Sequence, residues 1–262
     1  MNNLLLETEG AVATVWLNRP EVRNAFNEEV IAEITQVFRE LGARDDVRCI
    51  VLAAKGSAFC AGADLNWMRK MADYSREENL ADAGGLAEML RTVYTCPKPT
   101  IAKIQGDVYA GGMGLVATCD IAVALDTVHF CLSETRLGLI PATISPYVIR
   151  AMGPRAAHRY FLSAERFGAV EAHRIGLLHE VVTTGHVDPK VAEIAAALVS
   201  AGPAAVKASK QLVHDVAGRA IDAELIARTV AGIADIRATP EGREGVQSFL
   251  QKRKPAWLLP EQ

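Results

Sequence analysis

Apolar and polar positions follow two different periods along this chain, and the change of period divides it. Leu4 to Glu7 and Val12 to Leu17 read as strands, the second with period-two alternation, and Glu9-Gly10 between them reads as a turn. Together they predict a hairpin that ends at Asn18-Arg19-Pro20. The period then changes to that of a helix: Val30, Ile34, Val37 or Phe38, and Leu41 share one face, Asn27 stands at the cap, and Glu28 and Glu29 fill the first turn. Asp45-Asp46 marks a loop. Cys49 to Ala54 is an unbroken apolar run, as expected of a strand covered on both faces. The opening unit is therefore β-β-α-β.

A small-residue loop follows, Lys55 to Leu65, and then a polar region, Met68 to Asn79, that leads into a helix reaching about Thr95. Pro97 and Pro99 close that helix, because proline lacks the N–H and disfavours helical geometry in the residue before it. The arrangement then repeats: a strand at Ile101 to Ile104, a small-residue cluster at Gly111 and Gly112, a helix at Met113 to Cys119, strands at Cys119 to Ala124 and His129 to Cys131, and a loop from Leu132 to Pro146. Beyond Pro146 the chain reads as helix, in segments 147–152, 154–163, 169–175, 191–200, 204–216, 223–236 and 241–252, with one strand at Leu177 to Val182. The expected organisation is an α/β core of β-β-α units over residues 1–190 and a helical region over 191–262. Amphipathic helices at one end of a chain need a second surface, which predicts self-association.

Composition narrows the partners. The chain has 262 residues, half of them hydrophobic, and a formal charge of -3 from 28 Lys and Arg against 31 Asp and Glu. No long basic run is present, which argues against nucleic acid or an anionic membrane as partner and for a small molecule. Five cysteines form no C-x-x-C pair and sit mostly in apolar runs, so a reducing compartment is expected. The amino terminus lacks a basic n-region and a long apolar h-region, and no stretch reaches about 18 uninterrupted apolar residues. The cytoplasm is the expected location. Six histidines form no H-x-x-x-H or H-E-x-x-H pair, so no metal is expected.

The residues alone give limited chemistry. Gly111 and Gly112 lie where a strand turns into a helix, a place where backbone N–H groups are unpaired and an oxyanion is favoured. Tight packing is the plainer reading of a glycine cluster without a phosphate-loop pattern. Glu134 on its own reads as a loop carboxylate paired with Arg136 or solvent. Asp120 reads as a structural partner at a helix-to-strand junction and as the reserve candidate for acid–base work. Ser133 and Ser145 lack a nucleophile-elbow context, and Tyr109, Tyr147, Trp67 and Met71 read as core or acyl-pocket residues, core being the plainer assignment.

Five runs together change this reading. N-R-P-E-V-R-N-A-F (Asn18 to Phe26), S-A-F-C-A-G-A-D-L (Ser57 to Leu65), I-Q-G-D-V-Y-A-G-G-M-G-L-V-A-T-C-D-I-A-V-A (Ile104 to Ala124), F-C-L-S-E-T-R-L-G-L-I-P (Phe130 to Pro141) and F-L-Q-K-R-K-P-A-W (Phe249 to Trp257) resemble, in order and spacing, the crotonase superfamily of enoyl-CoA hydratases and isomerases. The resemblance implies a crotonase-like spiral of β-β-α units with a carboxyl-terminal helical trimerisation region, assembled as a homotrimer or homohexamer. It implies an acyl-CoA thioester substrate, with coenzyme A as part of that substrate and no further cofactor. The backbone N–H groups of Ala63 and Gly111 would form the oxyanion hole, which stabilises the enolate formed beside the thioester. Coenzyme A contacts carry over onto Arg23, Ala25, Gly62, Ala63, Asp64, Leu65 and Lys252, although Asp64 would serve equally as a plain helix cap.

The same resemblance exposes a departure. Family hydratases carry two glutamates; Glu134 matches the second, and Gly114 stands where the first belongs. Gly114 is expected to leave a wet space or room for a bulkier acyl group, or for a distal carboxylate of the substrate. Pro141-Ala142-Thr143-Ile144-Ser145-Pro146 replaces the glycine-rich run of many hydratases, and the chain is similar there to bacterial branched-chain hydratases of the 3-methylglutaconyl-CoA type found in leucine breakdown. Hydration of an enoyl-CoA is the favoured activity. A double-bond isomerase using Glu134 alone, a decarboxylase, and a catalytically weak acyl-CoA-binding or RNA-associated protein are the alternatives.

Overall fold

The amino-terminal hairpin forms as the alternation predicts, with β1 (Leu4–Glu9) antiparallel to β2 (Val12–Leu17). The coordinates are a computed structural model and describe residues 3–258. Helix α1 (Glu28–Ala43) follows, its first turn capped by the Asn27 side chain accepting from Val30 N–H at 2.9 Å. Val30, Ile34, Val37, Phe38 and Leu41 are all buried, so the helical stripe is the face that meets the core. β3 (Cys49–Ala54) is buried along its whole length, as its unbroken apolar run requires.

Among the described residues the strands form two sheets. The larger has the order β1-β2-β3-β5-β7-β10, with β5 at Thr100–Ile104, β7 at Ile121–Leu125 and β10 at Glu180–Val182, and every pairing beyond the hairpin is parallel. The smaller has the order β4-β6-β8-β9, from Ala58–Cys60, Asp107–Tyr109, His129–Cys131 and Phe167–Gly168. Of these four short strands the hydrophobic pattern revealed only β8. β9 has only two residues, and β4 and β6, three residues each, lie beside small residues that blur any period.

Helix α2 (Leu65–Met71) runs from the end of the small-residue loop into the polar region, and α3 (Arg76–Tyr94) begins at a capping box made by Ser75 and Glu78. Helix α4 (Gly111–Thr118) joins the two sheets. Helix α5 (Ser145–Ser163) spans both segments read as separate helices, and the reason for that division is visible: Gly153 at φ 77°, ψ 157° breaks the helix immediately before Pro154. After α6 (Ala169–Arg174) come α7 (Val187–Ser200), α8 (Pro203–Val216), α9 (Ala223–Ala238) and α10 (Pro240–Leu250). No single described helix is long and apolar enough to cross a membrane.

Asp120 settles into a structural role. Its Oδ2 accepts from Thr100 N–H at 2.8 Å, from the Thr100 hydroxyl at 3.0 Å and from Lys210 Nζ at 2.7 Å, tying α8 to the β5–β7 edge. With every bond directed at the scaffold, it no longer serves as the reserve acid. Lys210→Met is expected to lower unfolding free energy by about 1 kcal/mol, the scale for a charge-assisted bond whose partner keeps some access to water; urea denaturation checks this, and turnover should be unchanged.

Candidate active site

Three strands of the smaller sheet end side by side. β4, β6 and β8 are parallel neighbours, with Cys60 opposite Val108 and Tyr109 opposite Cys131. Their carboxyl ends lead directly to Ala63, Gly111 and Glu134, three residues far apart in sequence. This is the end of a parallel sheet where ligands are commonly bound, because the loops converge there and helix amino termini point outward. Sheet topology thus brings together the two donors and the carboxylate expected from the sequence.

The direction of each donor has a local cause. Phe26 pairs with Ala63 as an isolated parallel bridge: Phe26 N–H donates to Gly62 O at 2.7 Å, and Asp64 N–H donates to Phe26 O at 2.7 Å. Both bonds fall on the flanking residues, so the Ala63 N–H is turned the other way. Ala110 N–H donates to Cys131 O at 2.9 Å, and Ala110 then adopts φ 45°, ψ -118° before α4 begins. That turn leaves Gly111 N–H at the free amino end of the helix. Neither the Ala63 nor the Gly111 N–H has an acceptor among the described residues.

Close packing fixes the distance between the two turns. A Cβ on Gly62, itself at φ +89°, would lie 3.0 Å from the Ala110 Cβ, so the residues before the two donors touch. A Cβ on Gly111 would lie 3.0 Å from the Phe26 ring, and one on Gly112 would lie 2.8 Å from the Cys60 Cβ. The glycine cluster is therefore tightly packed, and that packing leaves the Gly111 N–H without an acceptor among the described residues. Phe26 is a residue whose part was not legible beforehand: its backbone orients one donor and its ring bounds the other.

Ala110 holds a conformation that a side chain resists, at a cost of order 1–3 kcal/mol. Ala110→Gly removes that strain and loosens the unfolded chain by less. The expected result is a gain of roughly 1 kcal/mol in denaturant unfolding with the donor geometry kept; a loss of stability would show that the Ala110 methyl contact with Gly62 outweighs the strain.

Glu134 opens a short 3-10 turn, Glu134–Leu137, closed by Gly138 at φ 73°. Its carbonyl accepts from Leu139 N–H at 3.1 Å, fixing the loop beyond. The plain reading paired its carboxylate with Arg136, but Arg136 Nη2 donates to Ala164 O at 2.6 Å instead. The Glu134 Oε2 is buried with no hydrogen-bond partner. Burial pushes the carboxyl above the ordinary glutamate range, opposed only by a bond from its own backbone N–H. A buried carboxyl oxygen without a partner is an exception that calls for a ligand or a task.

Gly114 does not leave the space expected of it. A Cβ there would lie 2.9 Å from the Cβ of Ile144 and 3.2 Å from Leu90 Cδ2, and Gly114 and both neighbours are buried. Neither a wet gap nor room for a bulkier acyl group or a distal carboxylate exists beside it. The physical reason is that Ile144, at the start of α5, fills the volume a side chain at 114 would take.

The residues carried over for coenzyme A lie around the same loops, with one exception. Arg23, at φ 54°, is exposed and its carbonyl accepts from Ala61 N–H at 3.0 Å, while buried Ala25 offers its carbonyl to Arg19 Nη1 at 2.7 Å. The Asp64 side chain caps α2 through Asn66 and Trp67 N–H and pairs with Arg19 at 3.0 Å, so its oxygens are already engaged. Arg19 and Asn24 are the residues that lock this loop: Asn24 Nδ2 donates to the carbonyls of Lys55 and Ala58 at 2.8 and 2.9 Å. Leu65 is 70% exposed at the start of α2. Lys252 follows α10, whose main packing partners are α8 and α9, so this chain does not itself bring Lys252 to the glycine loops. Trp67 is buried and donates to Asp82 at 2.9 Å; Met71 and Tyr147 pack against the core. Burial raises the thiols of Cys49, Cys60 and Cys119 to about 12, which leaves them unreactive.

Two unpaired amide N–H groups and a glutamate with one buried, unpartnered oxygen at the same sheet end suit an enzyme that stabilises a developing oxyanion and moves a proton beside it. The chain belongs to the enoyl-CoA hydratase/isomerase family, whose model matches residues 7–259. It is similar in structure to an enoyl-CoA hydratase from Shewanella pealeana, with 42% identity, a TM-score of 0.95, and 97% of this chain and 96% of that one covered. It is 31% identical over 256 residues to the short-chain-enoyl-CoA hydratase of Clostridium acetobutylicum, with 97% of each chain covered. It is also 30% identical over 260 residues to the crotonyl-CoA hydratase of Syntrophomonas wolfei, with 98% of each covered.

Proposed function

We propose that this enzyme adds water across the C2=C3 bond of an enoyl-CoA thioester. The thioester oxygen sits between the Ala63 and Gly111 N–H groups, whose preorganised dipoles stabilise the enolate, and Glu134 carries the proton that the addition requires. The buried, unpartnered Oε2 of Glu134 is the observation that supports this reading most directly. Coenzyme A enters as part of the substrate, with the loops bearing Arg23, Ala25 and residues 62–65 as its docking rim and no additional cofactor. Lys252 would contribute from a neighbouring subunit.

A branched acyl group is the substrate class we favour, on the likeness of the Pro141 to Pro146 run to branched-chain hydratases. Ile144 fills the volume beside Gly114, which disfavours a distal carboxylate in that place. A second reading, double-bond isomerisation, draws support from the same filled volume, since one carboxyl suffices to take a proton from one carbon and return it at another. Crotonyl-CoA, 3-methylglutaconyl-CoA and a 3-enoyl-CoA, followed by absorbance and mass, separate the two. Gain of one water establishes hydration; a conjugated product of unchanged mass from the 3-enoyl ester establishes isomerisation.

Residues 1–190 would form the catalytic unit and 191–262 the assembly unit of a homotrimer or a pair of trimers. Leu212, Val213, Val230, Val246, Phe249 and Leu250 are each at least half exposed in the single chain, a surface that a second copy would cover. Light scattering at micromolar protein should give at least three chain masses, and a monomer would overturn the assembly. Five free, buried thiols fit the reducing setting of the cytoplasm.

A further inference from the structure

Ile144 stands where a second carboxylate would stand. Gly114 lies three residues beyond Gly111 in α4, so the two share a helix face. The first bond of any helical side chain tilts toward the amino terminus, and a side chain at 114 would therefore lean back toward the donor at Gly111. That volume is taken by the Ile144 Cβ and Cγ2, with Leu90 behind. Ile144 cannot easily move aside. Its carbonyl accepts from Tyr147 and Val148 N–H, both at 3.1 Å, its β-branch restricts χ1, and the residue is 1% exposed. Ile144 also lies on the loop that Glu134 begins, where Leu139 N–H is held by the Glu134 carbonyl.

We infer that Ile144 is the residue that sets the reaction chemistry of this site: by filling the space beside Gly114 it excludes a second carboxylate and the water such a group would hold, leaving all proton transfer to Glu134. Glycine at 114 and isoleucine at 144 act as a matched pair. Glycine is the residue that admits the isoleucine, and isoleucine is what keeps the flank of α4 dry. This inference rests on the assignment of Ala63, Gly111 and Glu134 as the reacting site.

The test is a cycle of Gly114→Glu, Ile144→Gly and the double variant in the full chain. Gly114→Glu alone should melt at a much lower temperature or fail to fold, and adding Ile144→Gly should recover most of that loss, a non-additive pair. The second readout is the pH dependence of butyryl-CoA affinity, which needs no turnover. Wild type should follow one ionisation and the double variant two coupled ones, as expected of paired carboxylates. Additive stabilities, or a folded double variant whose pH profile equals that of wild type, would overturn the role given to Ile144. Absence of turnover of every enoyl-CoA by wild type would instead overturn the hydratase reading, while the stability cycle and the affinity profile still decide the part played by Ile144.

Discussion

Glu134→Gln is expected to fold normally, bind acyl-CoA and lose at least a factor of about 10² in turnover, the usual scale for a general acid or base. Glutamine keeps the shape and a hydrogen-bonding amide but cannot exchange a proton at neutral pH. The same variant reports on burial through stability. Burial raises the folded-state carboxyl above the ordinary glutamate range, so the folded protein retains this proton at pH values where the unfolded chain has lost it. Its contribution to stability is therefore complete below the ordinary glutamate value and is lost as the pH rises through the higher folded value. Wild type should fall progressively below Glu134→Gln in urea stability across that window. A gap that stays flat with pH would mean that the carboxylate ionises as freely in the fold as in water, and near-normal turnover would remove Glu134 from the chemistry.

Gly111→Ala should cost a factor of about 10²–10³ in turnover, the scale for loss of one oxyanion donor. The added methyl would lie 3.0 and 3.2 Å from two carbons of the Phe26 ring. Phe26 is 1% exposed, and its backbone is bonded on both sides to Gly62 and Asp64. The ring therefore cannot retreat without dragging the Ala63 turn with it, so α4 or the Ala63 loop shifts and the two N–H groups lose their common focus. A displacement of this size costs far more in a reaction than in folding, because transition-state stabilisation depends steeply on donor position while packing can relax. Circular dichroism should stay native. A matching rise in KM with turnover unchanged would show that Gly111 serves binding only, and unchanged kinetics would show that its N–H is not a donor to the reacting oxygen.

These two residues illustrate how unevenly the site could be read beforehand. Glu134 and Gly111 were legible only because five runs in fixed order resemble a family; by composition alone one was a loop carboxylate and the other a packing glycine. The helix at Glu28–Ala43 and the strand at Cys49–Ala54 needed no such help, since each repeats its signal over many residues. β4 and β6 gave no signal, being short and set among small residues, yet they are the strands whose ends deliver Ala63 and Gly111. Gly114 was read as an opening, whereas Ile144, thirty positions away, closes it.

What the sequence by itself determined is therefore local and repetitive: the hairpin, the amphipathic helices with their caps, the break at Gly153-Pro154, and the acidic balance that points away from polyanions. These follow from periodicity and backbone chemistry within a few residues. Tertiary structure alone decided which groups are left without partners. Ala63 and Gly111 N–H are free because Phe26 and Cys131 claim the bonds beside them, and Glu134 Oε2 is left without a partner because Arg136 is spent on Ala164. Whether a donor, an acid or a space remains unfilled depends on every neighbour the fold supplies, and those neighbours lie too far along the chain for any local pattern to reveal.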